Sequence, residues 1–175
     1  MIMKKIYFLI GIFFIAPVFA EGTIEITPME TNMNRVVPRN AVRLPLSRVQ
    51  LKAGDSDVFV SGMEFVLQGF SAPSDFGRVW IETSRFQRSR RTSVQTDNTL
   101  IFRFSSPILL EKNKLETITL YGNLKMKSPG TGRYFSFSPS AIESDATRVT
   151  LGIQTAARQS VTDRRVRRRG GRVRR

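Results

Sequence analysis

The 175-residue chain has no cysteine, no histidine and a single tryptophan. Without cysteine there can be no disulfide, so the fold must hold together by burial alone. The same two absences remove the thiol nucleophile, the commonest general base and the usual zinc ligands. After residue 20 there is no long apolar run, and nothing there reaches the roughly 20 residues a membrane-spanning helix needs. Acidic residues are scarce as well: 14 Asp and Glu stand against 28 Lys and Arg, for a net charge of +14.

The start of the chain reads "MIMKKIYFLIGIFFIAPVFA". Lys4 and Lys5 form a positive region, an apolar run follows, and Val18 and Ala20 precede the expected cut. This is the three-part pattern of a secretory signal peptide over residues 1–20. The alternative, an uncleaved anchor, is disfavoured by the shortness of the apolar run. The protein is therefore expected outside the cytoplasm: extracellular, at the cell surface or in the periplasm. No cysteine follows the signal to take a lipid, so retention at a surface would rest on non-covalent contacts.

The other end reads "VTDRRVRRRGGRVRR". Eight of the last twelve residues are arginine: Arg164, Arg165, Arg167, Arg168, Arg169, Arg172, Arg174 and Arg175. Such a block repels itself and buries nothing, so residues 154–175 are expected to be a disordered basic tail. Arginine grips phosphate and carboxylate through a planar fork of donors. The tail has no aromatic residue to stack on bases, so it offers charge without base readout. The partners this implies are anionic envelope polymers or lipid head groups, with nucleic acid as the alternative.

Between the two ends, apolar residues alternate with a period of two. "NTLIFRF" places Leu100, Phe102 and Phe104 on one face, and "LETITLYGNL" places Ile118, Leu120, Gly122 and Leu124 together. In "DVFVSGMEFVLQG" the phase changes at Ser61-Gly62, which predicts a bulge. Short strands at regular spacing, broken by turn signals such as Ala53-Gly54-Asp55 and Ser128-Pro129-Gly130, read as an all-β, single antiparallel sandwich of about seven to nine strands. Residues 21–43 are expected to be an N-terminal strand and linker, and residues 44–153 the sandwich domain. The expected core is Leu51, Val60, Phe65, Leu67, Val79, Ile81, Leu100, Phe102, Phe104, Ile118, Leu120, Phe135, Phe137 and Val149. Residues 138–145 are expected to form a turn of helix or a connecting loop.

The series "LSRVQLKAGDSDVFVSGMEFVLQGF", "DFGRVWIET", "NTLIFRF", "PILLEKNKLETITLYGNL" and "RYFSFSPSAIES" resembles a β-sandwich module found in secreted and surface proteins of bacteria. The resemblance spans about residues 44–145. It implies an immunoglobulin-like sandwich in a surface setting, with other surface proteins among its partners, and it carries over no functional residues.

Catalytic chemistry finds little support in the sequence. The candidate carboxylates Glu64, Glu82, Glu111 and Glu116 are scattered over strands and turns, and alternation reads them as solvated. "GDSD" at residues 54–57 has too few acids for a calcium loop and is read equally well as a hairpin turn. No cofactor and no metal are expected. Trp80 alternates with Val79 and Ile81, which puts it on the outer face beside Arg78 and Glu82, either as a surface contact together with Arg78 and Arg103 or packed beneath a loop. The stretch 84–93 carries Arg85, Arg88, Arg90 and Arg91. It reads either as charge that blunts a sheet edge or as a patch that works with the tail on an anionic partner. The sequence thus describes a non-catalytic exported sandwich that makes structural or adhesive contacts. A secreted nucleic-acid binder, for instance in DNA uptake, is the alternative.

Overall fold

The structure, a computed structural model, describes residues 22–29, 35–85, 88–126, 134–152 and 159–162. The expected signal peptide and all eight tail arginines lie outside the described residues. Ten strands follow in order: β1 (Thr23–Met29), β2 (Arg35–Pro38), β3 (Leu44–Ala53), β4 (Val58–Gly69), β5 (Phe76–Thr83), β6 (Thr99–Leu110), β7 (Leu115–Leu124), β8 (Tyr134–Ser144), β9 (Arg148–Leu151) and β10 (Gln159–Thr162). They make two five-stranded sheets, ordered β5-β7-β3-β1-β9 and β2-β10-β8-β4-β6. Among the described residues no helix is long and apolar enough to cross a membrane.

The all-β sandwich is as the alternation predicts, and most of the expected core is buried between the sheets. Ile81, Leu100, Ile118, Leu120 and Phe135 are fully buried, and Phe65 meets Phe102 edge to face at 6.3 Å. Gly122 shares the inward face of β7. A Cβ there would stand 2.6 Å from the Leu46 side chain and 2.8 Å from the Val79 side chain, which reach over Gly122 from the two strands paired with β7.

Four expectations need correction. First, the sheets are not wholly antiparallel: β9 runs parallel to β1, and β10 runs parallel to β2. β8 belongs to the other sheet from β9, so the chain crosses between the sheets before β9 pairs, and a parallel pair needs such a crossing. Second, residues 138–145 form neither helix nor loop for most of their length, because β8 stays extended through Ser144. Its pairing with β4 supplies the hydrogen bonds that a turn would have had to make locally. Third, after the expected N-terminal strand a second one, β2, falls in the expected linker, and β10 falls in the expected tail and pairs with β2 and β8. Fourth, Val149 is 40% exposed, on a short edge strand whose four residues are all exposed.

The bulge at Ser61-Gly62 is present, and it is larger than expected. β4 pairs Val60 with Ile108 and then Gly62 with Arg103. Residues 104–107 of β6 therefore stand against Ser61 alone. Gly62 is squeezed here, since a Cβ would come within 2.7 Å of the Phe102 carbonyl oxygen. The bulge turns Phe104 away from its expected place in the centre of the core. It is only half-buried and packs against the core margin.

Candidate functional site

β5 ends one sheet and β6 ends the other, so one long side of the sandwich is bounded by these two edges. The edge of β5 is covered by the segment that follows it. Val79 and Thr92 exchange backbone hydrogen bonds at 2.9 Å, Ser89 N–H donates to the Ile81 carbonyl at 2.9 Å, and Ile81 N–H donates to Ser89 Oγ at 2.8 Å. The segment 88–92 thus acts as a short extra edge. Of the two readings of the 84–93 stretch, charge at a sheet edge is the one this pairing matches.

Glu82 anchors that segment. It lies on the outer face of β5, is 8% exposed, and accepts from Trp80 Nε1–H at 2.9 Å, Arg43 at 3.0 Å and Arg88 Nε at 2.8 Å. Burial opposes charge on this carboxyl, but the Trp80 hydrogen bond and the Arg43 and Arg88 guanidinium charges outweigh it and hold the pKa below the usual 4.5. The expected solvated Glu82 is therefore a buried, saturated acceptor. Glu116 differs from expectation in the same way. It is 5% exposed and takes the Ser84 N–H at 2.9 Å and the Ser84 hydroxyl at 2.6 Å. Arg85 lies 2.9 Å from Glu111 and 3.5 Å from Glu116, and Lys114 also pairs with Glu111. Lys114 and Arg85 together lower the pKa of Glu111.

Trp80 faces outward from the core, as the alternation implies, but it is covered. Its ring stacks on Tyr121 at 5.9 Å, while Arg91 lies 5.3 Å above the Trp80 ring and Arg43 lies 5.4 Å from the Tyr121 ring. At 7% exposure the indole is no open binding platform, because Tyr121 and Arg91 already occupy its two faces. Arg78, the neighbour expected beside it, is exposed.

The arginine stretch therefore divides. Arg85, Arg88 and Arg91 are held by Glu111, Glu116, Glu82 and Trp80. Arg90 has no ion-pair partner among the described residues, and Arg103 reaches only Glu143, at 3.9 Å with both side chains mostly exposed. Arg88, Arg90 and Arg103 come together around a groove of about 650 Å³ between the 88–90 segment and the β6 bulge. Its floor is Ile81, Phe104 and Ile108, and Ser89, Ser105 and Ser106 line it. The size falls within the range of about 300–1,000 Å³ usual for ligand clefts. Sequence reasoning grouped Arg88 and Arg90 in one basic stretch and named Arg103 apart from them, but missed the serines and the groove. A pair of serines before Pro107 in a strand-like run was the one available signal.

The GDSD segment is not a hairpin turn as expected, because it carries the chain from β3 in one sheet to β4 in the other. Asp57 Oδ1 accepts the Lys112 N–H at 2.7 Å. Among the described residues no group of three or more acidic side chains is placed to hold a metal.

No family model matches this chain, and no curated protein matches it. Among solved structures, the Calx CBD1 domain in its apo form is similar at a TM-score of 0.43 and 11% identity, over 81% of this chain and 98% of that one. A substrate-bound M1 zinc metallopeptidase from Deinococcus radiodurans gives a TM-score of 0.21 and 16% identity, over 66% of this chain and 26% of that one. At these scores neither likeness bears on what this chain does.

Proposed function

We propose that this chain is a non-catalytic, exported, immunoglobulin-like sandwich that makes adhesive contacts at a cell surface, held there on anionic polymers by its arginine-rich tail. The observation that carries this reading is the run of eight tail arginines, and the arginines around the groove add to its field. Arg90 and Arg103 present charge outward, while Arg88 is fixed in place by Glu82. Their positive field lies on the same molecule as eight tail arginines, and fields of one sign add in drawing a polyanion. The buried carboxylates support a non-catalytic role. Glu82 and Glu116 are saturated with donors, whereas a general acid needs a proton to give and a raised pKa.

Fractionation of cells making the full chain and a chain without residues 164–175 tests the reading. The full chain is expected with the surface fraction and released by a salt wash, and the shortened chain in the medium. A full chain that withstands high salt would overturn electrostatic retention. Nucleic acid as the partner is the second reading, favoured by the same arginines. It predicts that added duplex DNA competes the protein off the surface.

A further inference from the structure

The groove differs from a plain polyanion site in one respect: its floor is apolar. Its accessible apolar surface is the half-buried Phe104, with Ile81 and Ile108 buried behind it, beside the exposed Arg88, Arg90 and Arg103. A phosphate polymer or a nucleic-acid backbone has nothing to place on such a floor, and the one aromatic there, the half-buried Phe104, is not the series of stacking faces that successive bases need. An extended peptide fits both parts. Its side chains alternate between two sides, so aliphatic residues can reach the floor while acidic ones lie within range of the long rim arginines.

The β6 edge provides the third element. β6 is the last strand of its sheet, and the backbone of residues 101–103, before the bulge at 104–107 and Pro107, makes no pairing on its outer side among the described residues. A free strand edge gives an incoming peptide main-chain hydrogen bonds, as in β-strand addition. The β5 edge across the groove is already closed by Ser89 and Thr92, so the added strand would join β6.

We propose that the groove between the 88–90 segment and β6 docks an extended peptide of another protein in which Asp or Glu alternates with aliphatic residues. This rests on the binding role proposed above but uses the groove rather than the tail, so the two fail separately: loss of surface retention speaks to the tail, and loss of peptide docking to the groove.

The test measures binding of a labelled alternating Glu–Val peptide to the full chain and to its Arg90→Gln/Arg103→Gln variant. Any contribution of the tail is common to both proteins and cancels. Polyglutamate and inorganic polyphosphate serve as comparison probes. The Glu–Val peptide is expected to bind the native chain more tightly than polyglutamate of equal charge. The double variant is expected to weaken it by about tenfold or more, the usual scale for lost charge-assisted contacts. The reversed variant Arg90→Glu/Arg103→Glu should instead gain affinity for a Lys–Val peptide. Equal binding of Glu–Val peptide by the native chain and the double variant would overturn the proposal. So would polyphosphate that binds as tightly as the peptide and depends equally on the two arginines.

Discussion

The Trp80 indole N–H donates to Glu82 Oε1 at 2.9 Å, joining two residues two positions apart on the same outward face of β5. Through this bond the only tryptophan of the chain is tied to the carboxylate that also holds Arg43 and Arg88. Glu82→Leu would leave the indole N–H and both guanidinium groups without their shared acceptor. Since the two arginines are more than half exposed and can turn to water, the expected loss is about 1–3 kcal/mol, read as a lower midpoint in urea unfolding. An unchanged midpoint would show that the network contributes nothing to stability.

The same carboxyl makes stability depend on pH. Its pKa in the folded state lies below the unfolded value of 4.5, so folding favours the ionised form. The stabilisation is complete above about pH 4.5 and is lost as pH falls through the lower folded-state pKa. Thermal midpoints of the native chain and of Glu82→Gln should therefore differ most near neutral pH and converge in acid. A gap that widened on acidification would contradict the sign of the shift.

Gly122 sits inward on β7 between Leu46 and Val79. Alanine there would bring a methyl group within 2.6 Å of Leu46 and 2.8 Å of Val79. Overpacking of this kind costs about 1–3 kcal/mol. Phe102→Ala has the opposite fault, because it empties the space beside Phe65 and is expected to cost about 3–5 kcal/mol for a buried phenylalanine. Chemical denaturation of both variants should show lower midpoints, with the larger drop at Phe102.

Much of this fold was legible because the alternation of β4, β5, β6 and β7 states which side chains turn inward. Leu100, Phe102, Ile118 and Leu120 could be assigned to the core on that basis alone. Phe104 could not, because the bulge opposite Ser61 depends on the register of a partner strand about forty residues away. β9 is a four-residue edge strand and β10 a four-residue strand between β2 and β8, and the parallel pairing of each is set by chain crossings between sheets. The candidate site was legible as residue types and not as a place. Arg88, Arg90 and Arg103 belong to two segments that meet only because their sheets end on the same side. Glu82 has the spacing of a solvated strand residue, whereas Glu116 falls on the face of Ile118 and Leu120, and the tertiary arrangement of arginine, serine and tryptophan donors around them makes their burial tolerable.

The division of the arginines yields a prediction that separates structural charge from binding charge. Arg88 and Arg91 are held by Glu82 and by the Trp80 ring, so Arg88→Gln and Arg91→Gln should each lower stability by about 0.5–1 kcal/mol, the scale of exposed ion pairs and cation–π contacts. Arg91→Gln should also uncover the indole and shift the fluorescence of the single tryptophan to longer wavelength. Arg90 and Arg103 face outward, so their replacement by glutamine should leave the thermal midpoint unchanged and weaken binding of the acidic peptide instead. The eight tail arginines belong with this second group. Replaced by glutamine they should abolish surface retention, and replaced by lysine they should preserve part of it, because the charge remains while the bidentate fork is lost. Attachment through several phosphate contacts should fall by about two to five orders of magnitude from low to moderate salt, with duplex DNA as the calibrated polyanion. Retention that survives both the glutamine replacement and the salt would place the anchor on the sandwich, and the exposed Arg78 and Arg103 faces would then be the next to substitute.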